Sequence, residues 1–239
     1  MKKLLILFSI ILICSCSLTS CFFLGPSIKG NGHVTTAYRD VGSFDKIKVS
    51  SGLKVLLIQS DKNLLNVEAD ENLHEVIRTE VKRGELNIFT EGRIKRSRKL
   101  LVTVELIDLE ELQSSSGSQV SSSGMLRLKR FTTQASSGSQ QNLSLNTQKL
   151  KAKTSSGAQI TLDGKTGDAD YSASSGSHLK AGELVAKTGK ADVSSGAHIY
   201  LEVTTNFEGE ASSGGYVYYS GNPTSVDIKT SSGGNIIKQ

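Results

Sequence analysis

Five side chains able to do chemistry stand at matched positions along the chain: His178, His198, Tyr200, Tyr216 and Tyr218. Each lies two or four residues after the glycine of a Ser-Ser-Gly tripeptide. Imidazoles hydrogen-bond, titrate near neutral pH and ligate metals. Phenol rings join an apolar body to a hydroxyl, a combination that stacks on sugar rings or anchors a protein partner. Two positions after each glycine the chain reads Gln119, Gln140, Gln159, His178, His198, Tyr216, Asn235. Four positions after, it reads Ser121, Asn142, Thr161, Lys180, Tyr200, Tyr218, Ile237. If successive repeats stack in register, the five gather on one exposed face over three adjacent rungs, a candidate site for a glycan or protein ligand. The plainer alternative is a set of surface residues that suit a strand. Two histidines alone do not make a metal site, and neither a metal nor a cofactor is expected.

Other groups of reactive residues carry less. His74-Glu75-Val76-Ile77-Arg78 begins like a zinc-protease helix, but Arg78 occupies the place of the second histidine. Gly164-Lys165-Thr166 ends like a phosphate loop, but Gln159 stands where its first glycine belongs. The recurring serines have no His or acid recurring beside them, whereas a nucleophile needs a base and an orienting group. They read as structure, and no catalytic residue is assigned. Asp168, Asp170 and Asp192 are the nearest acids for a polysaccharide-cleaving groove, but the first two flank Gly167 and read as turn residues. Arg93, Lys95, Arg96, Arg98 and Lys99 place five cations in seven residues. That stretch reads as a solvated loop, with lipid phosphates or acidic glycans as the functional alternative. The absence of interleaved aromatics argues against nucleic acid.

The element that must position these residues is the repeat itself. Ser-Ser-Gly appears with its glycines at 117, 138, 157, 176, 196, 214 and 233, spaced 21, 19, 19, 20, 18 and 19 apart. Small or apolar residues dominate three before, three after and five after each glycine, with polar residues between. This period-two alternation on both sides of a glycine marks short strands joined at a bend. A coil of about 19 residues is too short for a strand and crossover helix, which need roughly 30. The expectation is an all-β, right-handed parallel β-helix of about seven coils, each corner turned by glycine at positive φ and filled by serine.

The amino terminus is a targeting segment. Lys2 and Lys3 precede an apolar run from Leu4 to Ile13, too short to span a bilayer. Leu18-Thr19-Ser20-Cys21 looks like a lipobox, with cleavage before Cys21 and lipid on that cysteine. Residues 1–20 are then the signal peptide, and Cys21 anchors the chain to a membrane. The other cysteines, Cys14 and Cys16, fall within the signal, so no disulfide framework is expected. The formal charge of +5 identifies no partner. The glycine-rich stretch 21–42 reads as a flexible tether.

Residues 43–112 lack the serine period. Strands are expected around Ser51-Gly52, at Leu65 and Val67, and on both sides of the hairpin signal Lys82-Arg83-Gly84-Glu85. Asp70 is placed as the N-cap of a short helix through Leu73 and Ile77. This part should cap the solenoid's open end, with residues 113–239 forming the repeats. At the far end, either a tight turn or contact with another copy is expected, the latter making a homo-oligomer through the C-terminal coil.

The motifs Phe44-x-x-Ile47-x-Val49-x-x-Gly52-x-x-Val55, Val67-x-Ala69-Asp70-x-Asn72-Leu73 and Gly84-x-Leu86-x-Ile88, followed by Ser-Gly repeats, resemble the head-GIN domain family of adhesins. That family is common as envelope lipoproteins in Bacteroidetes. The resemblance covers about residues 43–239. It implies a β-helical fold and an adhesive role, and brings no catalytic residues. The expected function is a lipid-anchored, non-enzymatic binding protein of the cell envelope, in the outer membrane. A periplasm-facing structural or sensory lipoprotein is the alternative, with a polysaccharide-cleaving enzyme third.

Overall fold

A computed structural model describes residues 27–239. The signal peptide and Cys21 lie outside the described residues. The first part comprises β1 (Ser27–Lys29), β2 (Val34–Arg39), β3 (Lys46–Val49), β4 (Lys54–Gln59), β5 (Leu64–Asp70), β6 (Ile77–Lys82), β7 (Glu85–Thr90), β8 (Arg93–Arg96) and β9 (Leu100–Leu106). The repeats follow as β10 (Glu111–Ser114), β11 (Gln119–Ala135), β12 (Gln140–Thr154), β13 (Gln159–Ala173), β14 (His178–Val193), β15 (His198–Ala211), β16 (Tyr216–Ser220), β17 (Ser225–Thr230) and β18 (Asn235–Lys238). From β10 onward every pairing is parallel and joins one coil to the next, which makes a β-solenoid.

The long strands bend, and each is most of one coil. Between β11 and β12, pairing runs through Gln119–Ser121 on Gln140–Asn142, Met125–Leu128 on Ser144–Thr147, and Arg130–Ala135 on Lys149–Thr154. Three short faces therefore enclose the core. Inward columns follow the period-two pattern: Val120, Ile160, Leu179, Ile199 and Val217 are buried in register. Gln141 interrupts that column and is also buried, at 2 % exposure. Its amide nitrogen donates to Ser114 Oγ and Gln134 O (2.9 and 2.8 Å), and its carbonyl oxygen accepts from Thr133. Its hydrogen-bonding groups are paired inside the core, which removes the main cost of burying them.

Each Ser-Ser-Gly is a turn with two left-handed residues. The second serine has φ between 47° and 53° in all seven copies, and the glycine follows at 66–75°. Positive φ at both central positions is the requirement of a type I′ turn, and the residue after the glycine closes it, as Ser118 N–H does onto Ser115 O at 3.1 Å. Except at the last copy, each glycine N–H in turn donates to the second serine's carbonyl one coil on, as Gly138 to Ser156 and Gly157 to Ser175. The ladder thus continues through the corner. The serines of the tripeptide do not fill that corner, contrary to expectation; the second serine is exposed. The filling residue is the one after glycine. Ser118, Ser139 and Ser177 are fully buried there, and Ser177 Oγ donates to Ser174 O and Thr154 O at 2.7 and 3.0 Å.

Residues 43–112 extend both faces beyond the first repeat. β3 and β4 form a further coil: β3 lies on β10, β4 on β11, and Gly52 N–H donates to Ser116 O at 3.0 Å. Ser50-Ser51-Gly52 is an eighth copy of the turn, with φ of 63° and 70° at Ser51 and Gly52. Outside it, β9, β5 and β2 continue one face and β7 and β6 the other, with antiparallel pairs closing the end. The expected hairpin is present, with Arg83 and Gly84 both at positive φ.

Three expectations are corrected here. The tether of residues 21–42 contains two strands, β1 paired with β8 and β2 with β5. The cation-rich stretch is a loop only at residues 97–99, because Arg93–Arg96 is β8. The helix after Asp70 is only a single 3-10 turn, Glu71–Leu73, and the Asp70 side chain does not cap it. Asp70 is 1 % exposed, and its carboxylate accepts instead from the backbone N–H groups of Gly32, Arg98 and Lys99 at 2.8, 2.9 and 3.3 Å. Burial pushes its pKa up. The three amides and the Arg98 charge outweigh burial and hold it below the usual carboxylate value.

At the other end, inward columns lack a cover among the described residues. Val226 and Ile228, the register partners of buried Phe207 and Gly209, are 44 % and 40 % exposed.

Candidate functional site

The candidate patch is built by register. His178 pairs with His198 and His198 with Tyr216, while Lys180 pairs with Tyr200 and Tyr200 with Tyr218. Strict coil-on-coil stacking converts two sequence columns into two aromatic ladders. His178 and His198 rings are 5.1 Å apart with planes 2° from parallel. His198 stacks on Tyr216 at 5.3 Å, and Tyr200 on Tyr218 at 4.8 Å. A diagonal contact of His198 with Tyr218 at 6.4 Å and the side-by-side rings of Tyr216 and Tyr218 in one strand, at 6.2 Å, tie the ladders together. All five residues are half-buried.

This geometry alters what the patch can offer. Parallel rings at these separations are offset stacks, a favourable arrangement for aromatic pairs. A ring inside a ladder turns its faces largely toward its neighbours, leaving its edge and polar tip for a ligand. Beyond the end rings the register neighbours are Gln159 and Lys180 on one side and Asn235 and Ile237 on the other. Two imidazoles alone are too few ligands for a zinc site. His178 is held below its ordinary pKa by desolvation, then by the charges of His198 and Lys180. His198 Nδ1 has no hydrogen-bond partner among the described residues.

Beside Tyr200 lies a hollow of about 450 Å³, lined by Leu162, Asp163, Lys180, Gly182, Glu183 and Tyr200, with Thr161 at its rim. The coil from Gly176 to Gly196 is one residue longer than the 19-residue repeat. Its pairing shifts between Ala181 and Val185, and that irregularity opens the hollow. Sequence reasoning missed Asp163 and Glu183 here. The 20-residue spacing was the available signal. Two carboxylates, an ammonium and a tyrosine edge around a small apolar floor form a polar-rimmed seat of the kind that holds a sugar hydroxyl or a peptide group.

The three acids weighed for catalysis are not gathered at this hollow. Asp168 and Asp170 are strand residues of β13 rather than turn residues. Asp170 forms an ion pair with Lys151 at 3.5 Å, and its register partner on the next coil is Lys190, itself paired with Glu208 at 2.9 Å. This cross-coil ladder of alternating charge gives Asp170 a surface-pairing role. Asp192 lies against a separate groove of about 460 Å³ on the other side of the turns, with Ser115, Ser136, Ser155, Ser174 and Ser194 along it. Among the described residues there is no cluster of three or more metal-ligating side chains, and no helix is long and apolar enough to cross a membrane.

The model of the family described as "Putative auto-transporter adhesin, head GIN domain" matches residues 43–223. The chain belongs to this head GIN domain family. The match spans the cap and all but the last coil, so the aromatic ladders and the hollow fall within the family's domain, whereas β1 and β2 fall outside it. Solved structures share the fold. A protein described as a putative adhesin from Bacteroides fragilis NCTC 9343 superposes with a TM-score of 0.84 at 19 % identity, covering 89 % of this chain and 100 % of that one. One so described from Parabacteroides merdae ATCC 43184 gives 0.72 at 20 % identity, covering 90 % and 100 %. One described as a putative lipid binding protein from Parabacteroides distasonis ATCC 8503 gives 0.74 at 20 % identity, again covering 90 % and 100 %. No curated protein matches the chain. At these identities the structural likeness establishes the fold, and the family description supports an adhesin-type binding role at the cell envelope or surface.

Proposed function

We propose that this head GIN protein is an envelope-anchored binding protein, held by lipid on Cys21, that recognises a glycan or protein through the Tyr–His ladders and the hollow beside Tyr200. The observation that carries this reading is the convergence of His178, His198, Tyr200, Tyr216 and Tyr218 on one face beside a concave, charge-rimmed seat. The family's adhesin description supports binding rather than turnover. The name of the Parabacteroides distasonis relative leaves lipid as a third ligand class. The lipobox and the family's adhesin description support an outer-membrane location.

The test is a glycan and host-protein array probed with the purified protein and with Tyr200→Phe/Tyr218→Phe. The phenylalanines keep the stacks and remove the exposed hydroxyls, so a ligand recognised at the patch weakens by about 5–30-fold for one or two lost hydrogen bonds. Equal binding by the variant to every captured ligand contradicts the assignment. A second copy is a further proposed partner. Val226 and Ile228 at the last described coil would be covered by end-to-end packing, and Ile228→Lys should then dissociate a dimer in sedimentation.

A further inference from the structure

The β1–β8 ribbon is a small two-stranded parallel sheet set apart from the main sheet. Ser27 pairs with Arg93 and Ile28 with Ile94, after which a register shift brings Lys29 to Arg96. Ile28 and Ile94 pack on the core. Period-two alternation then turns Lys29, Arg93 and Lys95 outward, and all three are exposed. Arg96 and Arg98 follow at the ribbon's end, on the rim of a hollow of about 640 Å³ that includes Lys29, Asn31 and the amide-bonded Asp70.

Apart from Arg98, whose charge acts on Asp70, these cations have no local anionic partner among the residues described. Among the described residues, none of Lys29, Arg93, Lys95, Arg96 and Arg98 forms an ion pair. The nearby acids are engaged elsewhere: Glu68 with Lys99, Glu91 with Arg78, and Asp70 with three backbone amides. The result is a flat face bearing several unpaired positive charges, with a headgroup-sized hollow at its edge. Position adds the second argument. Only residues 22–26 separate Cys21 from Ser27. Six peptide steps span at most about 20 Å even when fully extended.

We infer that the outer face of the β1–β8 ribbon docks on the anionic phosphate headgroups of the membrane that holds the chain, so that the rod stands on its cap. This rests on the anchoring at Cys21 proposed above. A single lipid attachment leaves a domain free to tilt, and a basic patch beside the lipid is the second attachment that makes binding stable. The His–Tyr ladders, four to six coils from Gly52, would then sit roughly 20–30 Å further along the rod at the 4.8 Å coil spacing. Docking at the ribbon would present the ladders away from the bilayer.

The experiment uses the protein purified from its own membrane, with the lipid on Cys21 read by mass spectrometry. It is reconstituted into phosphatidylcholine vesicles with or without phosphatidylglycerol and pulsed with a water-soluble amine-acylating reagent. Lys29 and Lys95 should label at least about 5-fold more slowly on anionic vesicles, the worth of one cation at such a surface. Lys180, on the ladder face, should label equally on both. About 1 M salt, where screening acts within about 3 Å, should erase the difference. Equal labelling of Lys29 and Lys95 on neutral and anionic vesicles overturns the inference while leaving the anchor intact. If Cys21 carries no lipid, the anchor falls and the patch is judged by co-sedimentation of the same protein with anionic vesicles. Lys29→Glu/Arg93→Glu/Lys95→Glu should then weaken partition at least about 100-fold, at about 5-fold per cation, and unchanged partition overturns it. Should that variant fail to melt cooperatively, the salt dependence of the unaltered protein decides instead. Protection of Lys29 and Lys95 by a soluble acidic polysaccharide but not by anionic vesicles overturns it in favour of a glycan site.

Discussion

His198 lies directly over His178, one coil along, with the ring centroids 5.1 Å apart and the planes 2° from parallel. A proton on one ring is repelled by a proton on the other. His178 is accordingly held below its ordinary 6.5 by desolvation, by His198 and by Lys180. The unfolded chain therefore binds a proton at His178 more readily than the folded one. Stability from this site is full above pH 6.5 and declines as pH falls through and below that value. The melting temperature should drop on acidification from pH 7.5 to 5, and His178→Gln should make the slope over that range shallower. An identical pH profile in the variant contradicts the linkage.

Replacing Tyr200, Tyr216 and Tyr218 together by serine removes the stacks as well as the polar tips. Because the rings support one another, this change should lower stability by about 1–3 kcal/mol, at 0.5–1.5 kcal/mol per aromatic pair. Thermal melting checks it. An unaltered melting temperature would mean that the ladders do not stabilise the coils. The milder phenylalanine pair is for this reason the proper probe of binding.

Tyr171 stands in the core between Ala152 and Ala191 of the neighbouring coils. Two small residues make room for one large ring. Its hydroxyl is buried, has no hydrogen-bond partner among the described residues, and is pushed well above its ordinary pKa by burial. Tyr171→Phe should therefore stabilise the domain by about 1 kcal/mol or leave it unchanged, because it deletes an unsatisfied polar group. Tyr171→Ala should cost about 3–5 kcal/mol through the cavity it leaves. Denaturant unfolding of both variants checks the pair. Loss of stability in the phenylalanine variant would show that the hydroxyl is bonded.

Gly164 is a corner residue with φ of 114°, and a Cβ there would collide with the Leu145 carbonyl of the preceding coil. Both the dihedral and the close approach demand glycine. Gly164→Ala should cost roughly 2 kcal/mol or more from backbone strain together with displacement of β12. In a solenoid, where each coil leans on its neighbours, the damage should spread to adjacent coils. Hydrogen exchange should report faster opening of β12 and β13 than of β5 and β9. Uniform protection across the coils would contradict this.

Asp70 ties the N-terminal segment to the cap by accepting from Gly32, Arg98 and Lys99. Asp70→Asn weakens that acceptor and points an amide donor at backbone donors. Trypsin should then cut at Lys29 and Arg39 faster than in the unaltered protein, with the serine coils still resistant. The carboxylate's depressed pKa places its stabilising effect above the ordinary range, to be lost as pH falls through its lower folded value.

The columns were legible because a parallel solenoid repeats one environment per coil, so offset from the turn glycine alone places His178 beneath His198 and Tyr200 beneath Tyr218. What escaped the sequence was irregular. Ser50-Ser51-Gly52 is a true turn of the ladder, but residues 53–116 separate it from Gly117 of the next Ser-Ser-Gly, and no period of 19 connects them. β1 and β2 are short, polar and glycine-flanked, so only their pairing with β8 and β5 reveals them as strands. Asp70 carries the composition of a helix cap, yet three distant backbone amides compete successfully for its carboxylate. The hollow beside Tyr200 arises from one extra residue in one coil. Its acids, Asp163 and Glu183, come together by a bulge rather than by a motif.

The measurement that bears most directly on the account is accessibility of the folded domain to protease and antibody on intact cells, compared with lysed cells. A surface binding protein carried on lipidated Cys21 should be cut and stained equally in both, with the serine coils recovered as a resistant core. Protection on intact cells that disappears on lysis would contradict the adhesive reading and place the Tyr–His ladders toward a periplasmic partner.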